Sequence, residues 1–134
     1  MADLAAVAAV DVAAVQVIEQ RTLPAAEAIT AGQLVGIDAN GLFCLADADA
    51  VAPIVTRGIA ITSANQANMT ITAVVKGLVD CGDIFDAMGF GDAVFSSATP
   101  GLMADAVVNA QAAIGRVEPA WGAVAADKLL RVDL

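Results

Sequence analysis

Residues 32–48 read GQLVGIDANGLFCLADA and residues 91–106 read GDAVFSSATPGLMADA. Each runs glycine, a polar residue, an apolar residue and valine, then a polar turn, Gly-Leu, and a small-residue run ending Ala-Asp-Ala. Apolar and β-branched residues bracketing a turn-forming cluster are the signal of a hairpin. Positions 38–41 and 98–101 read as the two turns, with Leu42 and Leu102 opening the return strands. One hairpin is therefore written twice.

The parallel extends outward from these stretches. GIAI at 58–61 answers GRVE at 115–118, and each is followed by a polar loop and a last strand, MTITAV at 69–74 or KLLRV at 128–132. The full set of expected strands is 33–37, 42–45, 58–62, 69–75, 78–81, 92–96, 102–104, 113–118 and 128–133. Strand signals this close, joined by tight turns, favour a small barrel or sandwich over βαβ units, which would need helical segments between the strands. A hairpin module cannot bury its apolar face alone, so two copies closing on each other predict an all-β fold: a small pseudo-duplicated barrel or sandwich. The organisation read here is an N-terminal arm over 1–20 and a single β domain over 21–134, with repeats at about 31–75 and 90–133. Gly58 and Gly115 fit positions where another strand passes close by.

Composition narrows the function. The chain has 134 residues, one domain's worth, and 59% of them are apolar, against roughly 45–50% in an ordinary soluble domain. Alanine and valine supply the excess. Small side chains bury little area each, so apolar surface is left over, and such surface marks a partner interface. An oligomer or assembly subunit is expected. The net charge of −9 opposes phosphate backbones, which argues against nucleic acid and anionic membrane as partners. The chain contains no histidine, the commonest general base and zinc ligand.

The opening stretch MADLAAVAAVDVAAVQVIEQ has no basic residue before its apolar run, and Asp3 and Asp11 interrupt that run. Export and membrane spanning are disfavoured, and a protein made in the cytoplasm is expected. Leu4, Val7 and Val10 have helical spacing, whereas Val10-Asp11-Val12 and Val15-Gln16-Val17 alternate as a strand does. Both structures stay open. An extended arm would reach ~60 Å and would order against a neighbour.

Few residues invite chemistry. Asp38-Ala39-Asn40-Gly41 starts like a calcium loop but lacks its later oxygen ligands, so a plain Asx turn is expected. Lys76 sits in VVKGL, near an expected hairpin tip, where carrier domains attach a prosthetic group, but its Val75 and Gly77 neighbours do not fit that motif. Cys44 and Cys81 lack a histidine base and read as small buried apolar residues, with a bond between them left open. Asp80, Asp83 and Asp86 fit a solvated loop as well as a catalytic pair. Trp121, in EPAWG at 118–122, is either a lid over the barrel mouth or a contact anchor. No catalytic, cofactor-binding or metal-ligating residue is assigned, and enzymatic activity is not expected. The candidate contact residues are Leu4, Val7, Val10, Val12, Val15, Val17 and Trp121.

In order along the chain, GFGDAVFSS at 89–97, GLMADA at 101–106, IGRV at 114–117 and DKLLRVD at 127–133 resemble small capsid decoration, or cement, proteins of tailed phages and prophages. AITAGQLV at 28–35 and RGIA at 57–60 look similar as well, so the resemblance covers about residues 15–134. It implies a non-enzymatic β-rich virion protein on the capsid exterior, assembled in the host cytoplasm. Its partners would be the major capsid protein and its own copies in a homotrimer, and it would reinforce the shell. The alternative is another head, tail or fibre component on the same barrel. The long Ala/Val arm departs from the family pattern.

Overall fold

The computed structural model describes residues 3–119 and 128–134. Among these, the strands are β1 (Val12–Pro24), β2 (Leu34–Ile37), β3 (Phe43–Leu45), β4 (Gly58–Ala60), β5 (Thr70–Cys81), β6 (Ala93–Ser96), β7 (Met103–Ala104), β8 (Gly115–Pro119) and β9 (Lys128–Asp133). A single 3-10 turn, Ala9–Asp11, precedes β1, and among the described residues no helix is long and apolar enough to cross a membrane. The strands form one curled antiparallel sheet, a half-barrel, in the order β3-β2-β4-β5-β9-β8-β6-β7, with β1 added on β5. The all-β reading is correct.

That strand order reads alike from either end, and the duplication holds bond by bond. Val35 pairs with Gly58 in the first half and Val94 with Gly115 in the second. Gly32 N–H donates to the Ala60 carbonyl at 2.7 Å, and Gly91 N–H to the Val117 carbonyl at 2.7 Å. Each hairpin turns on a glycine with positive φ, +79° at Gly41 and +80° at Gly101, a conformation in which a Cβ is strained. The two ends of the curled sheet meet where Gly101 N–H bonds the Ala46 carbonyl at 2.8 Å and Ala48 N–H the Ser97 carbonyl at 2.9 Å.

Two layers of core follow from this curl. Leu34, Ile59 and Val74 of the first half pack with Val94, Val117 and Leu130 of the second. On the opposite face of the first half, Val35, Phe43, Ala60 and Ala73 lie under Ala25, Ile29 and Ala64. First-half strands are therefore buried on both faces, fully along β4 and over Leu34 to Gly36 of β2, whereas β8 and β9 keep one face in water.

β5 corrects one expectation. Positions 69–75 and 78–81 are not separate strands with Lys76 at a hairpin tip; they are a single strand of 12 residues. Its ladder is completed by three neighbours: β4 at Ala73 and Val74, β9 from Lys76 to Asp80, and β1 along its whole length. Alternate residues of a strand turn their backbone groups to alternate edges. Thr72 accepts from Ile61 N–H and Val75 from Leu134 N–H, so β4 and β9 hold opposite edges. β1 must then change edges, and it does so at Gly77, whose φ is +146° and where a Cβ would collide with the Gln16 carbonyl oxygen. The glycine marks a crossing, and a hairpin would have needed the chain to reverse. The same irregularity lets Val74 and Val79 enter one core although an odd spacing sends residues of a regular strand to opposite faces.

The arm is settled as strand from Val12 onward, and the boundary drawn at 20/21 falls inside β1. Upstream, Leu4 N–H bonds the Met103 carbonyl at 2.9 Å, and the Asp3 carboxylate accepts Ser97 Oγ–H at 2.5 Å and Thr99 Oγ1–H at 2.8 Å. The segment is laid along its own domain.

Candidate interaction surfaces

The residues with chemical potential are held in structural roles. Asp38 Oδ1 accepts the Asn40 and Leu42 N–H groups at 2.9 and 3.0 Å, which is the Asx turn expected at that hairpin. Asp80 Oδ1 accepts Gly82 N–H at 2.9 Å. Lys76 stands in mid-strand, its Nζ 3.7 Å from Asp133 Oδ1. Cys44 and Cys81 are free and buried. Burial pushes the Cys81 thiol up to about 12, with the Asp80 charge adding to it; burial, then Asp38 and Glu27, also raises Cys44. Both sulfurs stay protonated at neutral pH and are poor nucleophiles. Among the described residues, no group of three His, Cys, Asp or Glu side chains could hold a metal ion.

The candidate contact residues of the arm separate into two sets. Leu4, Val7 and Val12 pack against the main core of their own chain, and Val7 fills the space over Gly32 that a Cβ would need. Val10, Val15 and Val17 face out, exposed by 93%, 41% and 41%. Ile18 joins them at 69% and was missed by spacing alone, because three register shifts along β1 break its alternation. Its signal was the run VAAVQVI at 12–18, which carries no charge. Among the described residues β1 is paired only with β5. Trp121 lies outside the described residues.

A second surface was not anticipated. β8 and β9 set Arg116 directly opposite Arg131, and both side chains are exposed. Arg131 Nη1 is 3.9 Å from Glu118 Oε1, and Arg116 Nη1 donates to the Gly91 carbonyl at 2.9 Å. A cleft of about 640 Å³ opens beside them, lined by Ile18, Lys76, Leu78, Pro119, Arg131 and Asp133. A second of about 390 Å³ shares Arg131, Glu118 and Asp133 and adds Arg116. The repeat carried the clue, since the equivalent first-half positions are Ile59 and Val74, paired in the same register. Neither a protein-family model nor a curated protein matches the chain.

Proposed function

We propose that this protein is a structural component of a phage virion that binds the outside of the capsid as a homotrimer and stabilises the shell. The observation that carries the reading is β1: 13 residues long, exposed along most of its length, and presenting Val15, Val17 and Ile18 outward. An exposed apolar strand edge is a template for pairing with another chain, and soluble proteins ordinarily blunt such edges. The sequence resemblance at 28–35, 57–60 and 89–133 points the same way. A subunit touching several capsomers would crosslink them, and trimerisation would raise the effective concentration of each remaining contact. The acidic surface would keep the protein clear of the packaged nucleic acid.

The test uses purified particles. The protein should co-sediment with them at a copy number comparable with the major capsid protein, with density on the capsid faces. Density confined to a vertex or the tail would favour a head-vertex, tail or fibre role. Since Leu4, Val7 and Val12 pack against the core, truncating residues 1–18 would disturb the fold itself. The cleaner variant is Val15→Lys/Ile18→Lys, which should fold normally by circular dichroism and lose attachment. Undiminished attachment would remove β1 from the contact.

A further inference from the structure

The arginine pair on β8 and β9 is not demanded by the fold. Like charges directly opposite in a sheet destabilise it, and the same backbone site in the first half is filled by apolar Ile59 and Val74. Among the described residues, no carboxylate lies close against both arginines. The Glu118 contact to Arg131 is long and solvent-exposed, and Arg116 spends one nitrogen on a neutral carbonyl. Three of the chain's 6 basic residues, Lys76, Arg116 and Arg131, gather on one face with two of its 15 acidic ones, Glu118 and Asp133, which leaves the face with a cationic excess on an otherwise acidic chain. Beside the cations lies an apolar floor of Ile18, Leu78 and Pro119.

We infer that this face is a docking site for an extended acidic segment of a partner protein, with a carboxylate bridging Arg116 and Arg131 and an apolar side chain on the Ile18–Leu78 floor. A carboxylate accepts guanidinium N–H groups in paired, charge-assisted bonds, and one placed between two arginines relieves their repulsion. Residues i and i+2 of an extended strand share a face, so a segment with an acidic and an apolar residue two positions apart would present both side chains to this surface. The acidic remainder of the surface repels any other approach, so the site also selects orientation. The inference does not rest on shell binding, and its test variants at Arg116 and Arg131 leave Ile18, which borders both surfaces, unchanged.

The probe is a fluorescein-labelled peptide of roughly eight residues with glutamate and valine in turn at every second position and serine between them, titrated with the whole chain by fluorescence polarisation. It should bind, and weaken about tenfold between about 50 and about 300 mM salt. The counterpart with glutamine in place of glutamate should bind at least about tenfold more weakly. Arg116→Gln/Arg131→Gln should lose the same factor, Arg57→Gln should lose nothing, and Arg116→Ile/Arg131→Val should lose binding while melting no lower than the parent protein. Absence of binding, equal binding of the glutamine peptide, or an unchanged double variant would overturn the assignment. So would equally tight binding of a thymidine oligonucleotide, which would make phosphate the ligand. Self-association abolished by the double variant would also overturn it, since the occupant would then be a second copy.

Discussion

The two halves of the sheet share register, turns and backbone hydrogen bonds, yet one is buried on both faces and the other on one. At equivalent positions the first half carries Ile59 and Val74, both fully buried, and the second carries the exposed Arg116 and Arg131. Backbone pairing therefore does not choose which face is wet. That is decided by what the curl stacks on top: second-half Val117 and Leu130 cover one face of the first half, and Ala25, Ile29 and Ala64 cover the other. The difference is one of layering imposed on a repeated motif.

The contrast is broken most directly by exchanging residues between equivalent sites. Ile59→Arg should cost about 4 kcal/mol or more, because an unpaired guanidinium would enter the core. Arg116→Ile should be neutral or gain up to ~1 kcal/mol by removing the like-charge pair. Urea denaturation of both variants checks this, and similar losses would show that the two sites are equally buried in solution.

A smaller contrast lies at the glycines. A Cβ at residue 115 would collide with the Arg131 carbonyl, whereas one at residue 58 meets the Ala73 Cβ at 3.0 Å and the Val74 carbonyl at 3.1 Å. Backbone cannot yield as a side chain does. Gly115→Ala should cost about 3 kcal/mol and Gly58→Ala about 1 kcal/mol, measured as shifts in urea midpoint at constant slope.

The smallest effect sharpens the comparison of the hairpin turns. Asp38 and Ser97 play the same part, but Ser97 Oγ accepts Thr99 N–H at 2.9 Å while its hydroxyl donates to Asp3. Asp38→Ala should cost about 1 kcal/mol. Ser97→Ala should cost more at neutral pH, and the excess should fade in acid. The Ser97 and then the Thr99 hydroxyl bonds hold the Asp3 carboxyl below its ordinary value. A depressed carboxyl stabilises the fold above the ordinary value of about 3.9 and loses that contribution as pH falls through the folded one. Carboxyl titration of Asp3 by NMR in the parent and in Ser97→Ala checks the sign, and identical titrations would show that residue 3 is not anchored there.

Much of the sheet was legible because strand and turn signals are local. The repeated Gly-x-x-Val, the turn residues at 38–41 and 98–101, and the apolar alternation of β8 and β9 each act within a few residues. β5 was misread at Lys76-Gly77 because a glycine that admits a crossing strand looks, in one dimension, like a glycine that reverses the chain. The arm was ambiguous for a related reason. Its alanines and valines suit either period, and pairing with β5, far along the chain, selects strand. Of the candidate contacts, Val10, Val15 and Val17 are outward and Leu4, Val7 and Val12 inward, a division that spacing could not supply.

The order of residues by itself determined the duplicated hairpins, their turns and the acidic, histidine-free composition, since each rests on short-range preference or on simple counting. Tertiary structure alone decided where β1 crosses β5, which half is covered on both sides and that Arg116 faces Arg131. Those depend on contacts between residues far apart in the chain, whose positions no local preference encodes.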